Sequence, residues 1–489
     1  MHEVIGVVGA GVMGRGIVQL FAQAGHKVRL FDADAGAVAK AVEFVGGMID
    51  RQVAKGAIDA EAGAAIKARV TPCAAPGELA GCTIVIEAIV ERLDAKQALF
   101  RELEPIVGPD CILASNTSSL LISAIASACK WPGRVAGLHF FNPVPLMKIV
   151  EVIPGVLTEP RVAPLLKALV EGAGHRAVTA ADQPGFLVNH AGRALYTEGL
   201  RIVEEGVTDF VGVDRIVREG MGFRMGPFEL LDLTGLDVSG AVMVSIWEQY
   251  QYDPRYRPSS LVPPRLAAGL YGRKTGQGFY AYAGGERADP EEPPIPEGRG
   301  SVWADDSVGD AIRALLGDRL EADPEAADAL LVAPWGEDVT TAALRLGLDP
   351  ARCLGVDPAT DPARRRTLMR SPATRQAAVD AAHAALASDG VKASVIGDSV
   401  GFVAQRVLAM IVNTGAAIAE RGIASTADID AAVRIGLGYP AGPLELGDRI
   451  GPARVVVLLE ALQAATGDPR YRPGVWLRRR AQLGLALAG

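Results

Sequence analysis

Apolar positions in the first part of the chain come in short continuous runs separated by amphipathic stretches. The runs Val4–Val8, Lys27–Phe31, Thr83–Glu87, Cys111–Ala114, Val135–Leu138 and Ala177–Ala180 have the length and density of strands buried on both faces. Between them, helical spacing is expected over Met13–Ala24, over Ala35–Lys67 with a turn at Lys55-Gly56, and over Glu91–Leu103. This alternation predicts an α/β domain with a parallel, Rossmann-like sheet over residues 1–183. At Pro184-Gly185-Phe186 the pattern turns mostly helical, and residues 184–284 are expected to form an all-α domain. The stretch ERADPEEPPIPEGRG within 285–300 reads as a linker.

After the linker the chain repeats itself. Asp398-Ser-Val-Gly-Phe402 matches Asp182-Gln-Pro-Gly-Phe186, and Gly442-Pro-Leu-Glu-Leu-Gly-Asp448 matches Gly226-Pro-Phe-Glu-Leu-Leu-Asp232, both at an offset of 216. DPRYRP recurs at Asp253 and Asp468, offset by 215. The second half is therefore a duplication. In it, Arg352-Cys-Leu-Gly355-Val-Asp357 aligns with Arg134-Val-Ala-Gly137-Leu-His139, and Gln405 falls at the place of Asn189. The strand-like Leu330–Pro334 runs into APWGED where a glycine loop would be needed. Residues 301–397 are expected to be a reduced Rossmann-like domain without a cofactor site, and 398–489 a second helical domain.

The composition adds exclusions. There are 57 acidic against 49 basic side chains, a net charge of −8, which argues against nucleic acid as a partner. ARRRTLMR (Ala363–Arg370) reads as a solvated charge run. No apolar run approaches the roughly 20 residues of a membrane helix. Cys73, Cys82, Cys111, Cys129 and Cys353 show no metal-ligand spacing, so no metal is expected, and reduced thiols in the cytoplasm fit best. MHEVIGVVGAG enters a strand at once, without the pattern of a signal peptide.

Two stretches carry chemistry. Gly9, Gly11 and Gly14, in GAGVMG, follow the first strand and open a helix, and Asp32 ends the second strand. Glycines there permit a tight turn, a close approach of backbone to a pyrophosphate and close helix packing, while the carboxylate suits ribose hydroxyls and repels a 2′-phosphate. NAD is thus the expected cofactor. In HFFNPVPLMKIVEV, His139 is followed by Glu151. A histidine oriented by a carboxylate is a general acid/base arrangement, here to be coupled to redox chemistry at a nicotinamide. Each residue has a plainer reading. Glu151 could be a charge at a strand edge, Ser118 a helix cap, Asn189 a helix residue without ligand, and Lys274 and Lys55 solvated cations.

GAGVMG, SNTSSL, HFFNPVPLMKIVEV and PGFLVN together resemble the L-3-hydroxyacyl-CoA dehydrogenase family from Val4 to about Tyr282. The second half is similar to that of the family's longer members, with FRMGPFEL and DPRYRP like those of the 3-hydroxyadipyl-CoA group. The resemblance implies NAD-dependent oxidation of the 3-hydroxyl of an acyl-CoA. By it His139 is the base, Glu151 orients it, and Ser118 and Asn189 hold the substrate oxygen. It also implies cofactor contacts from Gly9, Gly11, Met13, Gly14, Asp32, Glu91, Lys96, Asn116, Asn142 and Lys274, with Lys55 a weaker candidate for the CoA phosphates. His190 stands where relatives often carry Arg. A dehydrogenase of free hydroxy acids would be expected to use a lysine instead, and an inactive NAD-binding homologue would not need the whole polar set. With no hydratase segment before Met1, a single activity is expected. In shorter relatives the helical domain mediates dimers. Here the two helical domains are expected to pair within one chain as an internal pseudo-dimer, with a homodimer also open.

Overall fold

The computed structural model describes residues 3–298 and 300–489. The chain forms two compact units, residues 1–190 with 421–437, and residues 191–420 with 438–489.

The first unit is built on an eight-stranded sheet. Its strands are β1 (Val4–Val8), β2 (Lys27–Phe31), β3 (Val70–Pro72), β4 (Ile84–Glu87), β5 (Ile112–Ser115), β6 (Val135–Phe140), β7 (Ile149–Pro154) and β8 (Arg176–Thr179). The order is β3-β2-β1-β4-β5-β6-β7-β8. All neighbours are parallel except β6 and β7. Helices α1 (Val12–Gln23), α2 (Ala35–Ala54), α3 (Ala60–Ala68), α4 (Leu93–Leu103), α5 (Ile122–Ala126) and α6 (Val162–Gly172) connect them. Ile5, Val7, Val28, Leu30, Ile86, Leu138 and Val150 are fully buried in one core. That explains why these strands read as unbroken apolar runs rather than as alternating ones. Two strands escape the reading by runs: β3 has only three residues, and β7 hides within LMKIVEV. The short helix α7 (Val188–Ala191) ends this part of the chain.

In the second unit the helices are α8 (Arg193–Glu204), α9 (Phe210–Arg215), α10 (Pro227–Thr234), α11 (Leu236–Gln249) and α12 (Val262–Ala267), followed by the hairpin β9 (Tyr282–Ala283) and β10 (Glu286–Arg287). The GPFELLD motif is structural. Asp214 accepts the Phe228 and Glu229 N–H groups at the start of α10, and Asp232 accepts those of Phe279 and Tyr280. These bonds satisfy donors that a helix start and a turn would otherwise leave unpaired. The stretch read as a linker is pinned: Pro290 O accepts from Arg215, and Glu292 pairs with Arg215 and Arg365.

A second sheet follows, with β11 (Val302–Ala304), β12 (Ala329–Val332), β13 (Cys353–Val356), β14 (Arg366–Arg370) and β15 (Ala393–Ile396) in that order and only β13–β14 antiparallel. Its helices are α13 (Asp310–Leu316), α14 (Val339–Leu346) and α15 (Gln376–Leu386). The single antiparallel step fixes the correspondence with the first sheet. Gly355 pairs with Met369 as Gly137 pairs with Ile153, so Asp357 stands opposite Thr367 where His139 stands opposite Glu151. Asp398 accepts the N–H groups of Val339 and Thr340 as Asp182 accepts those of Ile122 and Ser123. The reduced sheet therefore matches β4 to β8, and APWGED lies at the level of SNTSSL. This corrects its alignment with the glycine loop: among the described residues no strands of the second sheet correspond to β1–β3.

ARRRTLMR is also corrected. Arg365 and Arg366 are buried, because β14 is an interior strand and both guanidinium groups have partners. Arg365 bonds Glu219 and Ser394, and Arg366 makes a two-pronged pair with Asp389.

The remaining helices are α16 (Val403–Glu420), α17 (Thr426–Gly436), α18 (Pro443–Ile450), α19 (Pro452–Thr466) and α20 (Val475–Leu483). Every residue of α16 from Val403 to Ile418 is buried, in a bundle with α8 and α18. Arg406 of α16 is tied to Glu198, Glu205 and the Tyr471 hydroxyl. Helix α17, by contrast, belongs to the first unit. Ala181 N donates to Ile423 O at 2.8 Å, and Arg176 pairs with Asp428 at 3.2 Å. The repeat-related bond, Gly397 N to Val207 O, is also 2.8 Å and lies in the second unit. Each repeat thus completes the α/β part of the other.

Candidate active site

At the carboxyl end of β1 the chain turns through Gly9 at φ +106°, a conformation that favours glycine. A Cβ on Gly9 would stand 2.5 Å from Ala88 O, and one on Gly14 1.7 Å from Gly9 O, whereas the space beside Gly11 is open. The three glycines thus divide the work as the spacing predicts: two for close packing, one facing free space at the start of α1. Asp32 accepts from Ala10 N at 2.7 Å and from Asp34 N at 2.9 Å, which holds it at the tip of β2. Gly9, Gly11, Asp32, Ala88, Ile89 and Val90 line a cavity of about 680 Å³. A helix start, an uncrowded glycine and a carboxylate with lone pairs to spare fit a dinucleotide. Met13, in the first turn of α1, is half-buried.

His139 and Glu151 are directly paired across the antiparallel strands β6 and β7. His139 Nδ1 lies 2.5 Å from Glu151 Oε2, and the carboxylate is completely buried. A strand-edge charge is therefore excluded for Glu151, which sits between β6 and β8. Its other oxygen, Oε1, accepts from Leu187 N at 2.9 Å and Val188 N at 2.7 Å. These donors reach it because the backbone bends at Gly185 and Phe186, at φ +76° and +46°. Positive φ at a phenylalanine is uncommon and marks a turn held by its surroundings. The rings of Phe141 and Phe186 flank the imidazole at 4.4 and 5.8 Å. His139 itself is 5% exposed. The arrangement holds the ring through Nδ1, so Nε2 is the ring nitrogen that Glu151 does not engage.

Asn189, half-buried, is in α7, one residue beyond the donors to Glu151. Asn116 Oδ1 accepts Phe140 N at 2.9 Å, just after His139. Glu91 gathers the SNTSSL loop. One of its oxygens accepts from the Thr117 hydroxyl, Ser118 N and Ser119 N, and from the Ser118 hydroxyl at 3.2 Å. Burial works to raise the Glu91 carboxyl, but Lys96 and the loop donors outweigh it and hold it below the ordinary range. Lys96 is not open to a ligand as the resemblance suggested. It is 1% exposed and bonds Glu87 at 2.6 Å and Glu91 at 3.2 Å. Glu87, absent from the sequence-based set, also accepts from Ser115 and Ile89 N. An acid ending an apolar strand was its only signal.

Asn142 is exposed and precedes a cis proline, Pro143, and it lines a cavity of about 380 Å³ with Arg15, Phe44 and Val144. Lys55 is exposed just past the end of α2. Lys274 belongs to the other unit, where it pairs with Asp237. Among the described residues no cluster of metal-ligating side chains occurs, and no single helix is long and apolar enough to cross a membrane.

Comparisons with known proteins fit this geometry. The 3-hydroxyacyl-CoA dehydrogenase NAD binding domain model matches residues 4–183. The 3-hydroxyacyl-CoA dehydrogenase C-terminal domain model matches twice, at 185–282 and 401–486. The chain is 36% identical over 482 residues to 3-hydroxyadipyl-CoA dehydrogenase of Escherichia coli K12, covering 98% of each. It is 38% identical over 283 residues to the mitochondrial hydroxyacyl-coenzyme A dehydrogenase of Homo sapiens, a match covering 56% of this chain and 90% of that one. The crystal structure of 3-hydroxybutyryl-CoA dehydrogenase from E. coli K12 superposes with a TM-score of 0.87 at 34% identity, covering 99% of both chains. The chain belongs to the 3-hydroxyacyl-CoA dehydrogenase family, in its long form with the C-terminal domain present twice.

Proposed function

We propose that this chain is an NAD-dependent (S)-3-hydroxyacyl-CoA dehydrogenase in which His139 is the base and Glu151 the residue that positions it. The observation that carries the reading is the buried bond from His139 Nδ1 to Glu151, whose second oxygen is held by two backbone N–H groups. NAD, when bound at the glycine loop, supplies the acceptor for the hydride from C3 of the acyl chain. His139 Nε2 takes the proton of the 3-hydroxyl as the C–H bond breaks, so the carbon does not have to lose a hydride while the oxygen keeps its proton. Glu151 stabilises the imidazolium that results and fixes its tautomer. The Asn189 amide donates to the substrate oxygen. Ser118 does the same by rotating its hydroxyl away from Glu91, where its bond of 3.2 Å is long. Neither group carries charge, so neither lowers the basicity of the imidazole.

The same reading gives Gly9, Gly11, Met13, Gly14, Asp32 and Asn142 to the cofactor, with Glu91 and Asn116 shaping the loop beside it. Lys274 contributes to the cofactor and Lys55 to the CoA phosphates. It divides the chain at 183, 284, 300 and 397, and takes the two repeats as an internal pseudo-dimer working in the cytoplasm. The exchanged bonds Ala181–Ile423 and Gly397–Val207 support that last point, because two-fold partners trade equivalent contacts. The test is NADH consumption with acetoacetyl-CoA, run beside His139→Gln. Turnover in the wild type and its loss in the variant are expected. Wild-type protein that binds NADH and turns over no 3-oxoacyl-CoA would defeat the reading.

A further inference from the structure

Two strand ends lie between the glycine loop and His139, because the sheet runs β1-β4-β5-β6 in this part of the first unit. Register sets them level. Val8 is paired with Glu87, Glu87 with Ser115, and Ser115 with Gly137, two residues before His139. The end of β4 carries a buried group of charges. Glu87 Oε1 accepts from Lys96 Nζ at 2.6 Å and from Ile89 N at 2.7 Å, and Oε2 accepts from the Ser115 hydroxyl at 2.6 Å. Lys96 Nζ is also 3.2 Å from Glu91 Oε2. The Glu87 and Lys96 side chains are each 1% exposed.

Two carboxylates thus share one ammonium. Among the described residues no second cation pairs with Glu87 or Glu91. The serine hydroxyl and the backbone N–H groups satisfy lone pairs but bring no positive charge to cancel the remaining negative one. A charge held away from water and salt acts more strongly, and over a longer distance, than one on the surface.

The place of this charge matters. A hydride acceptor held at the glycine loop, and facing a carbon whose hydroxyl meets His139, has to extend over the ends of β4 and β5. Ala88, Ile89 and Val90, which follow Glu87 directly, line the same cavity as Gly9 and Gly11. The nicotinamide of NAD is a cation and that of NADH is neutral, so the unbalanced negative charge lies where a positive one comes and goes. The reduced repeat, which has no counterpart of β1–β3, lacks the arrangement. By register Asp305 follows the strand at the level of Glu87, and Val332 takes the place of Ser115. Asp305 accepts from Ser307 N in its own turn, and Lys392, the one lysine in residues 301–397, has a side chain 56% exposed.

We propose that Glu87, Lys96 and Glu91 together set the preference of the site between the two redox states of its cofactor: their net negative charge strengthens the binding of NAD relative to NADH. This rests on the reading of the protein as an NAD-dependent dehydrogenase. In that reaction the C3–H bond breaks with its electron pair going to the nicotinamide, and the hydroxyl proton goes to His139. The positive charge on the cofactor is lost in that step, and the attraction of the three residues is lost with it, which loosens the reduced cofactor.

The test is calorimetric titration of the full-length protein with NAD and with NADH, for the wild type, Glu87→Gln, Glu91→Gln and Lys96→Met. The readout is the ratio of Kd for NAD to Kd for NADH within each protein, which a loss of folded material does not move. Removing a negative charge should raise the ratio by roughly tenfold in Glu87→Gln and in Glu91→Gln. Lys96→Met removes the positive charge and should shift the ratio the opposite way. Asp94→Asn, which neutralises an exposed carboxylate at the start of the same helix, should leave it unchanged. A ratio that stays constant in Glu87→Gln, or moves the same way in Glu87→Gln and Lys96→Met, overturns the proposal. Turnover of acetoacetyl-CoA by a wild type whose ratio none of the variants shifts sinks this inference alone. A wild type that binds neither nucleotide sinks the dehydrogenase reading, and this inference with it.

Discussion

His139 and Glu151 are a direct cross-strand pair, joined through Nδ1 and Oε2 at 2.5 Å inside the sheet. Because β6 and β7 are antiparallel, the two side chains leave the same face at the same level, and a sequence gap of twelve residues becomes one hydrogen bond. Replacing His139 by Gln is expected to lower kcat by roughly 10²- to 10⁴-fold with NADH affinity retained, as read by steady-state rates and NADH fluorescence. Glu151→Gln should act through the histidine. The expected outcome is a lower kcat together with a displaced pH profile, whereas a purely structural loss would lower activity evenly across pH.

Asp32 meets the start of the glycine loop through Ala10 N. Asp32→Ala is expected to weaken NADH binding by about tenfold or more, the value of hydrogen bonds to a charged group. The ratio of NADPH to NADH affinity should rise at the same time, because the carboxylate no longer repels a 2′-phosphate. Fluorescence titration with both nucleotides decides it.

Lys96 lies buried between Glu87 and Glu91, and Glu87 is also fully buried. Lys96→Met should therefore destabilise the protein by about 3–5 kcal/mol, since it strands a buried carboxylate. Urea unfolding of the variant measures this. An effect below about 1 kcal/mol would mean that Glu87 is satisfied by Ser115 and Ile89 alone.

Asp357 occupies the histidine position of the second repeat, and its Oδ2 has no partner. Burial pushes its carboxyl up to about 7. With the folded value above the unfolded one, its contribution is fully present below about pH 4 and is lost as pH rises toward 7. The loss runs at up to roughly 1.4 kcal/mol per pH unit. Asp357→Asn should be more stable than wild type at pH 8, with the difference shrinking toward pH 4. Parallel unfolding curves at the two pH values would contradict this.

Much of the site is written locally. The glycine loop with Asp32, the strand that delivers His139 and the PGF turn each depend on neighbours within a few residues, so spacing reveals them. Glu87 and Lys96 are less legible, because what makes them a pair is burial, and burial of charge leaves no period in a sequence. Arg365 and Arg366 mislead for the same reason: three successive arginines look like a solvated face until their partners Glu219 and Asp389 are seen. The reduced sheet was legible as a duplication but not in its alignment. Only the antiparallel step at Gly355–Met369 shows that it matches β4–β8.

Severing the chain in 285–300 provides the test of the internal pair. The isolated first half would lack α17, and it is expected to self-associate or precipitate, as sedimentation would show. A monomeric, active half would end the pseudo-dimer reading.

The exchange of segments also sets an order of events during synthesis. The edge strand β8 ends at Thr179, yet the Ile423 carbonyl that accepts from Ala181 N is made some 240 residues later. The nascent dehydrogenase half therefore leaves the ribosome with one flank open, and stays so until residues 421–437 have emerged. Contacts this distant along the chain are slow to form, and the uncovered flank is the point at which a stalled or truncated product would aggregate. Completion of the first α/β domain thus reports that nearly the whole chain has been made.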